Sequence, residues 1–298
     1  MISAGEFEAH RPRLTGIAYR MLGDVASAED VVQEAFLRWS AKPEGEAREP
    51  SAYLTTVVTR LAIDRLRSAQ ARRETYVGPW LAEPVLYDSV EPQPGPDDMV
   101  ALAESVTLGF LRILDLLTPL ERATFLLHDV FDCGFDEIAG MLDKTDSACR
   151  KTASRARAKI AAHRDDPKRR ATSHEEQVLV AAFGAALASA DFDRIQALLT
   201  SDVVATSDGG GVRYAAVRPV VGRYRTARFL AGIAKKAPPD TVFEVATVNG
   251  EPAFIVFIEG ELDVVLVMGT TSEGISHLHA VRNPDKLAAL ASGYRLPG

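Results

Sequence analysis

The chain has 298 residues, of which 47% are hydrophobic and 25% are charged, and its formal net charge is -7. This composition is typical of globular proteins and excludes a disordered or fibrous chain. No run of 18 apolar residues predicts a membrane-spanning helix, and two cysteines are too few for a disulfide framework. We therefore expect a cytoplasmic globular protein of about two domains.

One basic segment interrupts an otherwise acidic chain. Between Lys144 and Arg170 there are ten Lys or Arg and three Asp, a local charge of +7, whereas residues 171–298 sum to -3. A solvated helix face and a helix that contacts DNA phosphates both fit such a segment. The secondary structure predicted around this segment distinguishes the two interpretations.

Residues 1–75 predict three helices. Apolar residues of the first recur at helical spacing: Leu14, Ile17, Ala18, Met21 and Leu22. Gly23 and Asp24 end this helix, and Ser27 with Asp30 resembles a capping box that starts the second. The third helix follows a proline-flanked loop and runs from about Ser51 to Arg73, with several arginines in its second half.

Residues 76–98 differ in composition from both flanks. They contain five prolines, five acidic residues and no basic residue, which predicts an extended linker because proline removes a backbone donor and disfavours helix. Trp80 and Leu81 are large apolar residues in this polar segment. We expect them to dock on another part of the chain.

The basic segment lies in a predicted helix-turn-helix. Thr118-Pro119-Leu120-Glu121 is a strong helix start, with Thr as the cap and Pro in the first turn. Further on, a short helix at Phe135–Leu142 is followed by a three-residue turn and a basic helix from Ser147 to Ala162. Two short helices and a tight turn are typical of a DNA-binding helix-turn-helix.

The remainder predicts an α+β domain. Helices are expected from Glu175 to Ala190 and from Phe192 to Leu199. Four strand-like runs follow, separated by turn residues such as Asn249-Gly250: Val242–Val248, Ala253–Ile258, Leu262–Thr270 and Ile275–Val281. Helices followed by a curled antiparallel sheet are an α+β arrangement.

Residues that could carry chemistry are few. His277 and His279 alternate on one strand and so share a face; facing a cavity they would be acid–base groups or ligand contacts, and otherwise they are ordinary strand histidines. Cys133 and Cys149 lack metal-ligand spacing, and the glycines at 209–211 lack the ending of a P-loop. We predict no catalytic residue, no metal and no cofactor.

Three motifs resemble bacterial sigma factors. Asp30-Val31-Val32-Gln33-Glu34-Ala35-Phe36-Leu37 resembles region 2.2, and Leu61-Ala62-Ile63-Asp64-Arg65-Leu66-Arg67 resembles region 2.4. The helix-turn-helix after Thr118 resembles region 4. Because there is no room for regions 1.1 or 3, the resemblance is to the extracytoplasmic-function (ECF) group, over roughly residues 5–165.

Three further elements resemble a SigJ-type subgroup of ECF sigma factors that carries a C-terminal SnoaL-like domain. Trp80-Leu81-Ala82-Glu83-Pro84 is similar to its Trp-Leu-Pro-Glu-Pro element, with Ala82 in place of a proline. Asp208-Gly209-Gly210-Gly211-Val212 is similar to Asp-Gly-Gly-Gly-Lys, with Val212 in place of the lysine. Asn283-Pro284-Asp285-Lys286-Leu287 matches its last element intact.

This resemblance implies a multidomain chain. Two all-α sigma domains are expected, a helical-bundle sigma-2 domain at 1–75 and a helix-turn-helix sigma-4 domain at 99–166, joined by the linker at 76–98. An α+β NTF2-like cone is expected at 170–298. The implied partners are promoter DNA and core RNA polymerase, at its β′ clamp helices and β flap, with no membrane. A small ligand of the SnoaL-like domain is a further possibility.

The resemblance also implies roles for particular residues. Polymerase would bind the outward face of region 2.2: Asp30, Gln33, Glu34 and Arg38. The promoter -10 element would bind region 2.4 and the preceding loop at about 41–50: Arg60, Arg65 and Arg67. The -35 element would bind the basic helix, with base edges expected at the first four of these residues and phosphates at the others: Ser147, Arg150, Lys151, Ser154, Arg155, Arg157 and Lys159. For each of them, an ordinary solvated side chain is the alternative.

We therefore predict an ECF sigma factor that is not itself an enzyme and is regulated in cis by its C-terminal domain. Docking of Trp80 and Leu81 near the Asp208–Gly211 turn and the Asn283–Leu287 element would carry that regulation. Two alternatives stay open: a bifunctional protein whose SnoaL-like domain binds or converts a small molecule, and a ligand-gated helix-turn-helix regulator. Region 2.2 argues against the second, because a repressor needs no polymerase-binding helix.

Overall fold

The structure is a computed structural model that describes residues 4–42, 49–73, 75–87, 106–163 and 169–296. The chain divides into two compact units. We call the first the helical unit, formed by the described residues of 1–75, 87–164 and 295–298, and the second the sheet unit, formed by those of 76–86 and 165–294. Most of the predicted -10 loop and the acidic part of the linker after residue 87 lie outside the described residues.

Three helices begin the helical unit: α1 (Ala4–Leu22), α2 (Val25–Ser40) and α3 (Pro50–Arg73). Their apolar faces are buried together, including the predicted set on α1. The predicted capping box at Ser27 and Asp30 is wrong. Gly23, in the left-handed conformation, ends α1, and Asp24 caps α2 by accepting a hydrogen bond from the Ser27 backbone N–H.

Four more helices complete the helical unit: α4 (Leu108–Leu114), α5 (Pro119–Phe125, continued by a π-helical turn over Leu126–Val130), α6 (Phe135–Leu142) and α7 (Asp146–His163). The predicted capping box of Thr118 and Glu121 is present. Lys159 and Thr118 hold the pKa of Glu121 below its usual range although burial opposes this. Asp143 adopts the left-handed conformation at the end of α6 and so sets the turn into α7. A two-residue strand, β1 (Leu86–Tyr87), precedes these helices in the chain.

The sheet unit contains a six-stranded mixed sheet and four helices. In chain order they are α8 (Ser173–Ala188), α9 (Phe192–Leu198), β2 (Leu199–Asp208), β3 (Val220–Val221), α10 (Arg223–Ala234), β4 (Val242–Val248), β5 (Glu251–Ile258), β6 (Glu261–Thr271), β7 (Gly274–Val281) and α11 (Pro284–Ala291), and Arg295–Leu296 form a last short strand, β8. The sheet order is β3-β2-β7-β6-β5-β4. Since β2 pairs with β7 in parallel, the prediction of an antiparallel sheet is wrong at this one pairing.

The two faces of this sheet are covered by different parts of the unit. Helices α8, α9 and α10 pack on one face, in a core that includes Phe183, Phe254, Met268 and Leu278. Because side chains alternate along a strand, residues one position away from these point to the other face. The segment 76–86 and α11 contribute buried apolar residues on that second face. The sheet unit thus has the α+β arrangement predicted for the C-terminal part of the chain.

Candidate polymerase, DNA and regulatory sites

The outward face of α2 carries the residues predicted to bind polymerase. Asp30, Gln33 and Arg38 are exposed and Glu34 is half-buried, while the opposite face of the helix is buried. Leu37 lies at helical spacing from Asp30 and Glu34, and its side chain is 54% exposed. Leu37 was not among the predicted polymerase-binding residues, although its place seven positions after Asp30 puts it on the same face of α2.

Two surface ion pairs link these residues to their surroundings. Arg38 binds Glu34 at 2.9 Å within α2, and Arg65 of α3 binds Asp30 at 2.9 Å. A predicted polymerase residue and a predicted DNA residue are thus brought together. Exposed pairs of this kind contribute about 1 kcal/mol or less, so a partner can replace them at little cost.

Arg60 and Arg67 of α3 have different surroundings. Arg67 is exposed and pairs with Asp64 on its own helix. Arg60 donates from Nε to the carbonyl of Met141 at 2.7 Å and from Nη2 to the carbonyl of Gly140 at 3.4 Å. These carbonyls end α6, where a helix leaves its acceptors without internal partners. Arg60 therefore joins the predicted -10 helix to the helix-turn-helix.

A buried arginine strengthens the same packing. Arg122, 1% exposed, donates from Nε and Nη2 to the carbonyl of Arg20 at the end of α1, and from Nη1 to Asp115 at 2.7 Å. The guanidinium groups of Arg13 and Arg20 also lie over the ring of Phe131, within 6 Å of its centroid. The two predicted sigma domains thus pack into one helical unit.

The exposed face of α7 carries the residues predicted to contact the -35 element. Six of the seven are exposed: Ser147, Arg150, Lys151, Ser154, Arg155 and Arg157. The seventh, Lys159, is half-buried and pairs with Glu121 at 2.7 Å. The buried face of α7 is small and apolar as predicted: Cys149, Ala153 and Ala156. Arg150 binds Asp146 and stacks on Phe135, and Arg157 binds Asp129 at 2.7 Å. These contacts hold the side chains above the helix surface.

Asp208, at the end of β2, is the centre of a buried polar cluster in the sheet unit. Its carboxylate is fully buried and accepts four hydrogen bonds: from Lys286 Nζ at 2.6 Å, Leu81 N at 2.8 Å, Tyr76 Oη at 2.6 Å and Gly210 N at 3.0 Å. Burial, and then the bond to this carboxylate, raise the pKa of Tyr76, which keeps its hydroxyl protonated as a donor.

Lys286, from α11, completes this cluster. Its ammonium also donates to the carbonyl of Leu81 at 2.6 Å and lies 4.1 Å from the ring centroid of Trp80. The backbone of Leu81 is therefore held on both sides, by Asp208 and by Lys286. We call this set the linker anchor: Tyr76, Trp80, Leu81, Asp208 and Lys286. Val85 extends it through two hydrogen bonds with Asn249.

The glycine turn at 209–211 and the start of α11 fit closely around the linker anchor. Asn283 caps α11 and donates from Nδ2 to the hydroxyl of Tyr76 at 2.9 Å. Gly210 has a φ of +63°, and a Cβ there would lie 2.5 Å from that Nδ2 atom. Pro284 and Asp285 form the first turn of α11, and Leu287 is buried. Val212, which replaces the family lysine, is 73% exposed, so Lys286 supplies the cation at Asp208.

The two strand histidines do not face the helix-covered core. His279 pairs in register with Val267 and His277 with Gly269, which places both on the sheet face opposite α8, α9 and α10. His277 Nε2 lies 3.0 Å from a carboxylate oxygen of Glu251, and the two imidazole centroids are 4.9 Å apart. Of the two interpretations left open by the sequence, this position favours ordinary strand histidines over groups that face a cavity.

Neither a membrane segment nor a metal site can be built from the described ranges. Within them, no helix combines the length and apolarity needed to span a bilayer. No three His, Cys, Asp or Glu side chains in the same ranges cluster as metal ligands.

Comparison with known proteins relates both sets of helices to one family. The Sigma-70 region 2 family matches residues 7–72, and the Sigma-70, region 4 family matches residues 108–160. These ranges cover nearly all of α1 to α3 and of α4 to α7 respectively. The described parts of both predicted sigma domains thus match sigma-70 regions in the predicted order.

Relatives extend the similarity over nearly the whole chain. SigJ of Mycobacterium tuberculosis, an ECF RNA polymerase sigma factor, is 41% identical over 258 residues, which cover 84% of this chain and 80% of SigJ. The probable ECF sigma factor SigI of M. tuberculosis is 32% identical over 286 residues, covering 95% and 94%. The crystal structure of M. tuberculosis SigJ matches with a TM-score of 0.75 at 34% identity, covering 99% of this chain and all of that one. This chain therefore belongs to the extracytoplasmic-function family of RNA polymerase sigma factors.

Proposed function

We propose that α2 binds the β′ clamp helices of core polymerase, that α3 contacts the promoter -10 element, and that α7 contacts the -35 element while its domain meets the β flap. The sigma-2 domain would span 1–75, the linker 76–98, the sigma-4 domain 99–166 and the regulatory domain 170–298. Support comes from the exposure of the α2 and α7 faces and the basic character of α7. Such a protein acts in the cytoplasm, on polymerase and promoter DNA, without catalysing a reaction itself.

We further propose that the C-terminal domain regulates the sigma domains in cis through the linker anchor. The single observation that supports this is the double attachment of Leu81, by Asp208 and by Lys286. Residues 76–86 connect the region 2 segment to the region 4 segment in the chain. Their attachment sets how much free chain lies between the two DNA-reading helices, and hence which arrangements of those helices are accessible.

The size of the effect follows from typical coupling energies. Coupling between two sites is usually about 1–3 kcal/mol, which changes the population of an active arrangement by roughly one to two orders of magnitude. Burying a large apolar side chain such as that of Leu81 contributes about 1.5–3 kcal/mol, in the same range. Releasing residues 76–86 is therefore expected to change transcription measurably.

Run-off transcription with purified core polymerase tests this regulation. Trp80→Ala, Lys286→Met and a chain ending before Asn283 should change transcript yield in the same direction without changing promoter preference. A chain ending after Leu287 keeps Lys286 and should stay closer to wild type, and Arg169→Gln is a surface control, since Arg169 pairs only with Glu175. If all of these proteins gave wild-type yield, regulation through the linker anchor would be rejected.

The alternative of a small-molecule enzyme has less support. Its candidate groups were His277 and His279, which share the sheet face away from α8, α9 and α10. Their neighbours there are Glu251 and the opposed Gly269, whose missing Cβ leaves room for the imidazole of His277. This arrangement suits a packed pair of strand histidines.

A further inference from the structure

The sheet unit carries a second strongly basic segment, distinct in sequence from α7. Between residues 209 and 239 the chain has seven Lys or Arg and no Asp or Glu: Arg213, Arg218, Arg223, Arg225, Arg228, Lys235 and Lys236. We call the five that lie on α10 or directly after it the α10 basic surface: Arg223, Arg225, Arg228, Lys235 and Lys236. The acidic residues that flank the segment in sequence are already engaged, Asp208 in the linker anchor and Asp240 as acceptor from the Glu259 backbone N–H.

All seven cations are exposed. None of them takes part in an ion pair with any residue that the structure describes, whereas Arg150 and Arg157 of α7 are both paired. Unpaired cations at this density repel one another, and a solvated surface would ordinarily intersperse acids among them. The charge is therefore uncompensated within the described part of the protein and is complementary to an anionic partner.

The geometry of α10 arranges part of this charge in a row. Arg225 and Arg228 lie on one helix face, opposite the buried Ala227 and Leu230, and Lys235 and Lys236 follow in the turn after the helix. With a rise of about 1.5 Å per residue, α10 is about 18 Å long, and the cations from Arg223 to Lys236 are spread along it. Phosphates along one DNA strand are spaced at about 3.4 Å of helix axis, so this row spans about five of them.

Other groups near the start of α10 favour phosphate as the ligand chemistry. The helix begins after Gly222 without a side-chain cap, so its first N–H groups add partial positive charge to that of Arg223. Tyr224 in the first turn of α10 is 59% exposed, and tyrosine hydroxyls commonly donate to phosphate oxygens. Five of the seven cations are arginines, whose planar donors match phosphate geometry.

We propose that the α10 basic surface binds the phosphate backbone of duplex DNA, which gives the C-terminal domain its own contact with DNA. An acidic protein surface is the less suitable partner, because protein interfaces have a core depleted of charged residues and enriched in apolar ones. Between its cations the exposed row on α10 has only Gly232, and the exposed Tyr224 and Ile233 lie to either side of it. Interfaces with DNA are, by contrast, polar and strongly positive. The contact is sequence-independent and supplements the promoter contacts of α3 and α7.

Salt-dependent DNA binding tests this proposal. The full-length chain, alone on a random-sequence duplex and as holoenzyme on a promoter duplex, is compared with Arg225→Gln/Arg228→Gln and with Arg169→Gln/Arg194→Gln. The second pair removes the same charge from exposed, ion-paired arginines of the same unit. Each lost phosphate contact lowers the slope of log K against log salt by about 0.9. The first variant should therefore lose up to about two units of slope, and the control none.

Two results would overturn the proposal. Equal slopes for wild type and Arg225→Gln/Arg228→Gln, with core polymerase affinity also unchanged, would make the surface a solubility feature. Equal slopes with weaker binding to core polymerase would assign it to an acidic protein partner. Because the readout is DNA affinity, it is independent of the transcription assay that tests the linker anchor, so either result can stand without the other.

Discussion

The carboxylate of Asp208 accepts hydrogen bonds from the linker segment, from its own glycine turn and from α11. Removing one partner of a buried ion pair typically costs about 3–5 kcal/mol, because the other charge is left uncompensated, whereas replacing both with neutral groups costs much less. Lys286→Met alone should therefore destabilise the sheet unit strongly. The double variant Asp208→Asn/Lys286→Met should recover part of that loss.

Urea unfolding of the sheet unit, followed together with amide exchange in residues 76–86, measures this difference. Leu81 donates its N–H to Asp208, so its exchange should quicken most in the single variant. Arg169→Gln, which removes the exposed ion pair but leaves Glu175 in the capping box of α8, is the matched control and should change stability by less than about 1 kcal/mol. A double variant no more stable than the single variant would show that an uncompensated charge on Asp208 is not what destabilises Lys286→Met.

Two glycines of the sheet unit should respond oppositely to alanine. At Gly210, with φ at +63°, a Cβ would lie 2.5 Å from Asn283 Nδ2, so Gly210→Ala should destabilise by about 1–3 kcal/mol and weaken the bond from Asn283 to Tyr76. At Gly232, inside α10, a Cβ meets no atom within 4 Å, so Gly232→Ala should stabilise by about 0.5–1 kcal/mol. Thermal unfolding of the two variants checks the opposite signs.

At the scale of elements, α2 offers a test of polymerase binding that combines charge with apolar contact. Reversing Asp30 and Glu34 to Lys should weaken binding to core polymerase, because both lie on the outward face of the helix. Leu37→Ser should weaken it as well, since this leucine is 54% exposed on the same face and contributes little to the core. Leu116→Ser, at an equally apolar and 46% exposed position, is the control.

Co-purification with core polymerase and a thermal melt of each α2 variant are the measurements. The melts should stay near that of wild type, because no substituted side chain is buried. Wild-type yield of the complex from both the charge-reversed protein and Leu37→Ser would reject α2 as the docking helix.

The strands and turns that are determined by residues close together in the sequence could be predicted. Asn249-Gly250 and Glu259-Gly260 both adopt positive φ, as two-residue hairpin turns require, and the strands on either side lie where the sequence predicts them. The strand β2 was not predicted. Its partner β7 is about 70 residues away and parallel to it, so the two strands are not joined by a short hairpin turn that would predict their pairing. Polar residues such as Asp202 and Ser207 also interrupt the apolar run of β2.

Site residues were predictable to the extent that motifs carried them. The Trp80-Leu81 and Asn283–Leu287 elements are brought together in the structure, but Tyr76 was not identified, because a tyrosine in a proline-rich segment has no distinguishing pattern. The position of the two histidines depends on which sheet face the helices cover. That choice is made by packing against residues distant in sequence, which strand alternation alone does not reveal.

At the scale of the whole molecule, the net charge of the C-terminal residues hides an uneven distribution of charge along the sequence. Residues 171–298 sum to only -3, yet residues 209–239 within them carry seven cations and no acid. In the summed charge of residues 171–298, the acidic residues outside this 31-residue segment cancel its seven cations, so the sum does not reveal the segment. The chain thus has two basic segments, one on the helix-turn-helix and one in the C-terminal domain, within an acidic protein.

The packing of the helical unit leads to a prediction about the free sigma factor. Arg60, expected to contact the -10 element, instead donates to the carbonyls that end α6, and Arg122 ties α5 to the end of α1. In this arrangement the guanidinium of Arg60 is engaged by α6, although the residue is exposed. We therefore expect the free chain to bind promoter duplex poorly and core polymerase to favour an arrangement that releases Arg60.

Arg60→Ala separates the two roles of this side chain. A net contribution of about 1 kcal/mol from its hydrogen bonds would hold the packed arrangement about five-fold more populated, so the free variant should bind promoter duplex about five-fold more tightly. Holoenzyme with the same variant should form open complexes less well if Arg60 contacts the -10 element. Arg67→Ala, which removes an exposed cation of the same helix, should weaken DNA binding in both states. Fluorescence anisotropy of the free chains and permanganate footprinting of the holoenzymes give the two measurements. Unchanged promoter affinity of free Arg60→Ala would show that this contact does not restrain the sigma domains.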